Sequence, residues 1–292
     1  MPTFPAPAPI TVVVDQVVGT LQVAASERDD VVVTVLPANP GKAADARLAQ
    51  ETTVAFANNV LTIGSPPSLR RLVIGPKGAV TVTVELPAGS DLSGKLAFGP
   101  LYTEGPLGVV DVTLSAGNGT IEQAARLDVK ASAGSVVVGR VTGPADVRSS
   151  AGSVRIRELL GDTQIKSSAG DVTVGSVGGS LTVSGAHGEI VVGRVRGTVN
   201  LKTASGGIRV DSLDSGSATL RTAYGSVEVG VPEGTAAWVD ASTTFGNVRN
   251  KLTPSAAPAT DEGGPTAEIH ASTSYGDVLV RRPESTSPFT GV

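Results

Sequence analysis

The chain has 292 residues, with 23 Lys and Arg against 27 Asp and Glu and a formal net charge of −4. This length can bury a sizeable core without staples, and the charge balance is unlike the basic field of a general nucleic-acid binder. The absence of Cys excludes disulfides, thiolate metal sites and a thiol nucleophile. The 36 Gly residues separate short stretches rich in Val and Thr, which predicts many short strands.

The first 90 residues predict an irregular β-lobe. Residues 1–7 have neither a basic n-region nor an apolar h-region, so we expect no signal peptide, no membrane anchor and a cytoplasmic location. A short helix is predicted over 43–50, and turn residues such as Asn58-Asn59 separate the strands. The predicted strands cover residues 10–14, 20–24, 31–36, 52–56, 60–63, 72–74 and 80–86.

A repeat of about 18 residues follows this lobe. The phrase Val-Lys-Ala-Ser-Ala-Gly-Ser-Val around Gly134 returns in related form around five further glycines, spaced 18, 18, 18, 18 and 19 residues apart. We predict that each of these corner glycines occupies a tight corner where the backbone needs a positive φ. A second glycine recurs about nine residues after most of them. The corner glycines are Gly134, Gly152, Gly170, Gly188, Gly206 and Gly225.

Four apolar columns accompany the corner glycines. They lie five residues before each glycine and two, four and seven residues after it, as Val129, Val136, Val138 and Val141 do around Gly134. Side chains alternate along a strand with a period of two, so the second and fourth positions after the glycine share one face. One such unit cannot bury its apolar face alone, whereas a neighbour stacked at roughly 4.8 Å can cover it. The columns predict an all-β fold, a β-solenoid of stacked strand repeats with two or three strands per coil.

The repeat also predicts how the chain is organised. Residues 1–90 form an N-terminal β-lobe or cap, since an open last coil would be a sticky edge. Residues 91–283 form the solenoid with a loop over 253–265, and residues 284–292 form a disordered tail. Trp238 is the largest side chain present, and we expect it to plug the core near the C-terminal end.

These columns resemble a known bacterial family, as do the segments Trp238-Val-Asp-Ala-Ser-Thr-Thr-Phe-Gly-Asn-Val-Arg-Asn and Thr273-Ser-Tyr-Gly-Asp-Val. The family is the "putative adhesin" β-strand-repeat family, a domain family of unknown function. The resemblance extends over nearly the whole chain and is strongest with actinobacterial members that lack a signal peptide. It implies stacked β-strands and, from the family name, adhesion at a surface. It carries over no catalytic residues.

A column of cations lies four residues before the corner glycines. In stacked coils it would present one charge about every 4.8 Å, which suits an anionic partner such as an acidic protein, a polymer or a lipid surface. The alternative is a solvated row that protects an edge, and acidic residues two positions earlier would partly neutralise the first two coils. Single-stranded nucleic-acid sites need interleaved aromatic residues, which this column lacks. The candidate binding residues are Lys130, Arg148, Lys166, Lys202 and Arg221, interrupted by Ser184.

No catalytic constellation is predicted. The sequence has neither a Gly-x-Ser-x-Gly elbow between a strand and a helix nor a phosphate-binding Gly-x-x-x-x-Gly-Lys-Ser/Thr loop. His187 occupies a corner slot far from His270 in the repeat, so we expect no metal site and no cofactor. Asp171 and Glu189 each follow a corner glycine and could form a stacked pair of catalytic carboxylates, although Ser and Gly break their column in the adjacent coils.

Two classes of function remain open from the sequence. We favour a non-enzymatic structural or interaction module that presents a rigid β surface. Such a module would bind a protein or an anionic polymer, or associate end to end with further copies of itself. The alternative is a carbohydrate-active enzyme that uses stacked carboxylates on a β-helix scaffold.

Overall fold

The computed structural model describes residues 2–64, 78–252 and 264–283, most of them in β-strands. Within these residues one helix is present, α1 (Ala43–Glu51), at the predicted place. The predicted all-β class is therefore confirmed. No helix of the described part has the length and apolar character needed to cross a bilayer. The strand predicted over 72–74, most of the loop over 253–265 and the tail over 284–292 lie outside the described residues.

The backbone contacts divide the chain into two compact units, Met1–Val147 and Arg148–Val292. The first unit contains β1 (Thr3–Pro5), β2 (Thr11–Ser26), β3 (Asp30–Pro37), β4 (Thr53–Ala57), β5 (Val60–Gly64), β6 (Val80–Pro87), β7 (Asp91–Phe98), β8 (Leu101–Ala116), β9 (Gly119–Ala133) and β10 (Val136–Val141). The division falls within β11 (Ala145–Ala151). The second unit contains β12 (Val154–Leu159), β13 (Thr163–Ala169), β14 (Val172–Val177), β15 (Ser180–His187), β16 (Ile190–Ser205), β17 (Ile208–Tyr224), β18 (Val227–Gly230), β19 (Ala236–Phe245), β20 (Val248–Asn250), β21 (Thr266–Tyr275) and β22 (Val278–Arg281).

The first unit combines parallel and antiparallel pairing around the long strand β2. This strand pairs in parallel with β5, β6, β7 and β8, whereas β3 pairs antiparallel with β1 and β6, and β4 with β5. Asn58 and Asn59 both have positive φ, 53° and 58°, as a two-residue type I′ hairpin turn requires. These antiparallel pairs lie in the part of the chain predicted as a cap, and the boundary at residue 90 stays a prediction.

In the second unit, successive repeats pair in parallel with an offset of 18 residues. Val154 of β12 pairs with Val172 of β14, and Thr163 of β13 pairs with Leu181 of β15. The repeat around Gly170 thus has two strand segments, β13 before the corner and β14 after it. An offset equal to the repeat length keeps equivalent side chains directly beside one another, which is what the columns in the sequence predicted.

The four predicted apolar columns form the core. Their members from Val129 to Val229 are at most 2% exposed. Hydroxyl side chains that the sequence analysis did not place in the core are also buried, three residues before four of the corner glycines and before Gly276, which has a similar positive φ of 147°. They are Ser149, Ser167, Thr203, Thr222 and Thr273.

These hydroxyls donate hydrogen bonds to backbone carbonyls at the corners. Thr222 Oγ1 donates to the carbonyl oxygen of Gly206 in the adjacent layer at 2.9 Å, and Thr273 Oγ1 donates to that of Gly225 at the same distance. A buried hydroxyl without a partner is costly. The corner carbonyls therefore allow a polar residue to occupy an inward position.

All six corner glycines have positive φ, between 125° and 148°. At Gly170, where φ is 128°, a Cβ atom would lie 2.3 Å from the carbonyl oxygen of Gly152 in the adjacent layer. Both the backbone conformation and the neighbouring backbone therefore exclude a side chain at this corner.

The second glycine column has a different explanation. Its members are Gly143, Gly161, Gly179, Gly197 and Gly216, and of these five described residues only Gly216 has a positive φ. At Gly197 a Cβ atom would lie 2.1 Å from the carbonyl oxygen of Gly179. Close approach of stacked backbones, and not backbone conformation, requires glycine at that corner.

The last two coils do not stack in chain order. β21 pairs in parallel with β17 on one side and with β19 on the other. The coil that comes last in the sequence therefore lies between two earlier coils, and β19 is the outermost of these three strands.

Trp238 does not plug the core, contrary to the expectation from sequence. Its side chain is 57% exposed on β19. Ala237 and Val239 occupy the half-buried side of this strand, and alternation places the residue between them on the opposite face. The size of the side chain suggested a core position, but the strand period decides its direction.

Substituting Gly170 by alanine should destabilise the protein. The added Cβ would strain a left-handed backbone and meet the carbonyl of Gly152, at a cost of about 1–2 kcal/mol or more in the free energy of unfolding. Gly207→Ala is the matched control, because Gly207 has no positive φ and its Cβ would make only an ordinary 3.4 Å contact. Urea denaturation measures both variants, and equal midpoints would contradict the corner assignment.

Thr222→Val should also lower stability, although valine fits the same space. The substitution removes the hydrogen bond to the Gly206 carbonyl, a loss of about 1 kcal/mol in the free energy of unfolding. Thr182→Val on β15 serves as the control, since Thr182 is half-buried on the outward side. A thermal melt in which Thr222→Val is at least as stable as Thr182→Val would show that the hydroxyl column is dispensable.

Candidate interaction surface

The structure brings three of the predicted cations into one row across the second unit. Lys166 of β13 is in register with Ser184, Ser184 with Lys202 of β16, and Lys202 with Arg221 of β17. The three basic side chains are exposed. We call Lys166, Lys202 and Arg221 the cationic row.

The surroundings of the cationic row are polar but nearly uncharged. Two residues earlier on the same face, the register places Gln164, Thr182, Asn200 and Thr219 side by side. Within the described part of the chain, no carboxylate lies within ion-pair distance of Lys166, Lys202 or Arg221. Their charges are therefore available to a ligand without first breaking an ion pair.

The other two predicted cations, Lys130 and Arg148, precede this row along the chain. Lys130 belongs to the first unit, where its Nζ atom lies 3.3 Å from a carboxylate oxygen of Asp128. This is the partial neutralisation that the sequence suggested. Arg148 is exposed on β11.

The backbone beneath the cationic row is well supported. Leu201 and Leu220, the residues that precede Lys202 and Arg221, are fully buried. Their strands β16 and β17 each pair with a strand on both sides in this region. The position of each cation along the row is therefore fixed by the sheet, while its side-chain end is free to move.

Asp171 and Glu189, the candidate carboxylate pair, make a structural contact at the corner. An oxygen of the Asp171 carboxylate accepts a hydrogen bond from the backbone N–H of Glu189 at 2.9 Å. Asn118, which follows Gly117, accepts the equivalent hydrogen bond at 2.9 Å from the backbone N–H of Ser135, which follows Gly134. The recurrence at a corner with an amide in place of a carboxylate indicates that this side chain ties adjacent layers together.

The described residues contain no group of three or more His, Asp or Glu side chains placed to hold a metal ion. His187 is exposed and in register with Ala169 and Ser205, small residues of the adjacent repeats. This is the corner slot that the sequence predicted for it.

A cluster around His270 was not predicted. The Nε2 atom of His270 lies 3.0 Å from a carboxylate oxygen of Glu268, and its Nδ1 atom lies 3.4 Å from one of Asp240. The Trp238 ring packs edge-on against the imidazole, with centroids 5.0 Å apart. Alternation along β21 explains the Glu268 contact, whereas the contacts with β19 depend on the direct pairing of β19 with β21 at a 30-residue offset, outside the 18-residue repeat.

The hydrogen bond to Glu268 is the strongest influence on this imidazole and raises the pKa of His270. Burial opposes this effect, and the hydrogen bond to Asp240 adds to it, so the pKa lies above its ordinary value of 6.5. In its charged form His270 on β21 pairs with Glu268 of the same strand and with Asp240 of the outermost strand β19, so only the Asp240 contact joins the two strands.

Three exposed aromatic rings form a second unpredicted feature. Tyr224, Tyr275 and Phe245 stack in that order, with centroids 5.0 Å and 4.8 Å apart, and each precedes a glycine of positive φ: Gly225, Gly276 and Gly246. The order of the rings follows the order of the layers and not the order of the chain. Phe245, on β19, is the last ring of this aromatic stack.

The raised pKa of His270 predicts a pH-dependent contact at the end of the second unit. Its stabilising effect should be complete below pH 6.5 and should disappear as the pH rises through the higher pKa of the folded state. Titration of the His270 ring by NMR should give a pKa above 6.5, and Glu268→Gln should lower it. The fluorescence of Trp238, the only tryptophan, should titrate with the same midpoint. A pKa unchanged by Glu268→Gln would contradict the assignment of Glu268 as the main partner.

Comparison with solved structures finds proteins of low sequence identity. A "putative adhesin" from Bacteroides fragilis is 13% identical, covers 96% of this chain and 95% of its own, and has a TM-score of 0.39. A "putative adhesin" from Parabacteroides distasonis is 15% identical, with 95% of each chain covered and a TM-score of 0.42. A "putative cell adhesion protein" from Clostridium sporogenes is 10% identical, covers 95% and 93%, and has a TM-score of 0.20.

No curated protein matches the chain. The sequence model of the family described as Toastrack DUF4097 matches residues 13–281. This match includes the repeat, the cationic row and the outermost strand, and it confirms the resemblance read from the columns. The chain belongs to the Toastrack DUF4097 family.

Proposed function

We propose that this chain is a non-enzymatic interaction module, an adhesin-like β-solenoid platform that binds an anionic partner through the cationic row. The partner is an acidic protein or an anionic polymer. The observation that supports the proposal is the alignment of Lys166, Lys202 and Arg221 in one register, without ion-pair partners among the described residues.

Edge protection does not account for this row. Lysines that discourage aggregation are expected on edge strands, where unpaired backbone groups face solvent. Lys202 and Arg221 instead lie on strands paired on both sides. A cation there blocks no free edge, which favours a role in contact with another molecule over a role in solubility.

The geometry suits an extended ligand. Lys166 and Arg221 are three strand spacings apart in the register, so the row spans roughly 14 Å. The backbone of a paired sheet is already ordered, so binding has to order only the ends of the Lys and Arg side chains, which helps a weak electrostatic site. The flanking Gln164, Thr182 and Asn200 offer uncharged hydrogen-bonding groups along the same line.

The carboxylate pair is not part of the proposed function. Asp171 is engaged at a corner between layers, and its substitution is expected to affect stability. The proposal assigns no chemical step to any residue of this chain.

Removal of the cationic row should weaken polyanion binding. The triple variant Lys166→Ser, Lys202→Ser and Arg221→Ser loses three exposed attractions worth about 0.5 kcal/mol each, so its affinity should fall about tenfold. Fluorescence anisotropy with labelled poly-L-glutamate measures the dissociation constant. Added salt should weaken wild-type binding more than residual binding by the variant.

A charge-matched control separates the row from net charge. The triple variant Arg155→Ser, Arg157→Ser and Arg249→Ser removes three exposed cations outside the row and should change the affinity by less than about threefold. Circular dichroism shows whether each variant is folded. Equal losses of affinity in the two triple variants would reject a specific binding row. Wild-type affinity in both triple variants would reject it as well.

A further inference from the structure

The outermost strand of the second unit has an open edge. β19 is ten residues long, and β21 is its only strand partner among the described residues. The backbone N–H and C=O groups on the other edge therefore have no strand to pair with in the described part of the chain. Such an edge is a template for a strand from another molecule.

β19 lacks the usual features that prevent edge pairing. Its sequence, Ala-Ala-Trp-Val-Asp-Ala-Ser-Thr-Thr-Phe, contains no Lys, Arg or Pro, and Asp240 is its only charge. The comparable edges of the first unit are short: β1 has three residues and ends in Pro5, and β4 has five. Natural sheets commonly protect long edges from pairing with charged residues or proline, and the edge of β19 has little of this protection.

The inward side of β19 is incompletely covered. Ala237, Val239, Ala241 and Thr243 are only half-buried, whereas the four residues in register with them on β21 are at most 5% exposed. Phe245 is 60% exposed at the end of the aromatic stack. One more strand on this edge would bury the inward row as β19 buries that of β21.

We propose that a second copy of this chain pairs with the open edge, β19 against β19 and antiparallel, to form a closed dimer. Antiparallel pairing follows from two-fold symmetry, because the same edge of each copy must meet itself. An isologous contact of this kind consumes both open edges, so assembly stops at two copies. The inference uses a different surface from the cationic row and does not depend on the proposed function.

The charge of Asp240 and the direction of the side chains determine the register of this pairing. Directly opposed residues of antiparallel strands point to the same side, so one residue of β19 must lie opposite its own counterpart on the two-fold axis. Asp240 in that place would oppose two like charges, which is unfavourable. Ala241 in that place gives the longest overlap without this repulsion, and it brings Asp240 opposite Ser242 of the second copy.

This register makes Ser242 a charge-sensitive position. Ser242 is exposed on the outward side of β19, so either charge is tolerated in the isolated chain. By symmetry, each substitution acts twice across the dimer. Ser242→Glu opposes Asp240 with a like charge and should raise the dimer dissociation constant about fivefold, whereas Ser242→Lys should lower it by a similar factor.

Sedimentation equilibrium of the full chain over a concentration series tests the proposal. We expect a monomer–dimer equilibrium without larger species, weakened by Ser242→Glu and strengthened by Ser242→Lys. Thr198→Glu and Thr198→Lys on the internal strand β16 are the controls, since Thr198 is exposed but distant from the open edge in the order of layers. They should leave the dissociation constant within about twofold.

Amide hydrogen exchange gives a second readout that does not depend on a substitution. Amides of β19 should exchange more slowly as the protein concentration rises, while those of internal strands should not change. A monomer at every concentration, open-ended polymers, or a dimer indifferent to the charge at Ser242 would each overturn the proposal. Polyanion binding tests the cationic row separately, so failure of one leaves the other intact.

Discussion

The close parallel stacking of backbones in the repeat, which places a residue beside its counterpart about 18 positions away, is the constraint on which the repeat region depends. At the corners the layers approach so closely that a Cβ atom on Gly170 would lie 2.3 Å from a neighbouring carbonyl oxygen. Glycine is required there by space as well as by its positive φ. Away from the corners, the same register places equivalent inward side chains in contact, and each column of Val, Ile and Leu becomes a continuous strip of core.

The same register determines what the surface can do. An outward position repeated in the sequence becomes a row of like side chains across the sheet, as with the cations four residues before the corner glycine. A single exposed Lys contributes little to recognition, whereas the aligned cations of paired strands concentrate three charges along one line, which is the basis of the proposed binding surface. At the end of the stack the register produces the opposite situation, a long strand whose inward row is covered by no further strand of the described residues. The proposed binding along the face and the proposed pairing at the end therefore both depend on the same register.

Much of the repeat could be predicted from the sequence because its period is nearly constant. The corner glycines, the four apolar columns, the short helix and the outward direction of the cations all follow from spacing and alternation. The missed features depend on information that spacing does not contain. Near the C-terminal end β21 lies between β17 and β19, so the strands there do not pair at the 18-residue offset. The contacts of His270 and the aromatic stack depend on this order and were therefore not predicted. The burial of Thr222 was missed because a hydroxyl suggests a surface position, whereas a corner carbonyl satisfies it inside.

Cross-linking across the cationic row tests the register most directly. The chain has no Cys, so the double variant Ser184→Cys and Lys202→Cys introduces a single pair at positions in register, with Cα atoms near 5 Å apart. We predict that mild oxidation closes this disulfide within the monomer. The offset pair Ser184→Cys and Asn200→Cys, with Cα atoms roughly 8 Å apart, should remain reduced because a disulfide cannot span that distance. Ready oxidation of the offset pair, with the in-register pair left reduced, would contradict the stacking on which the account depends.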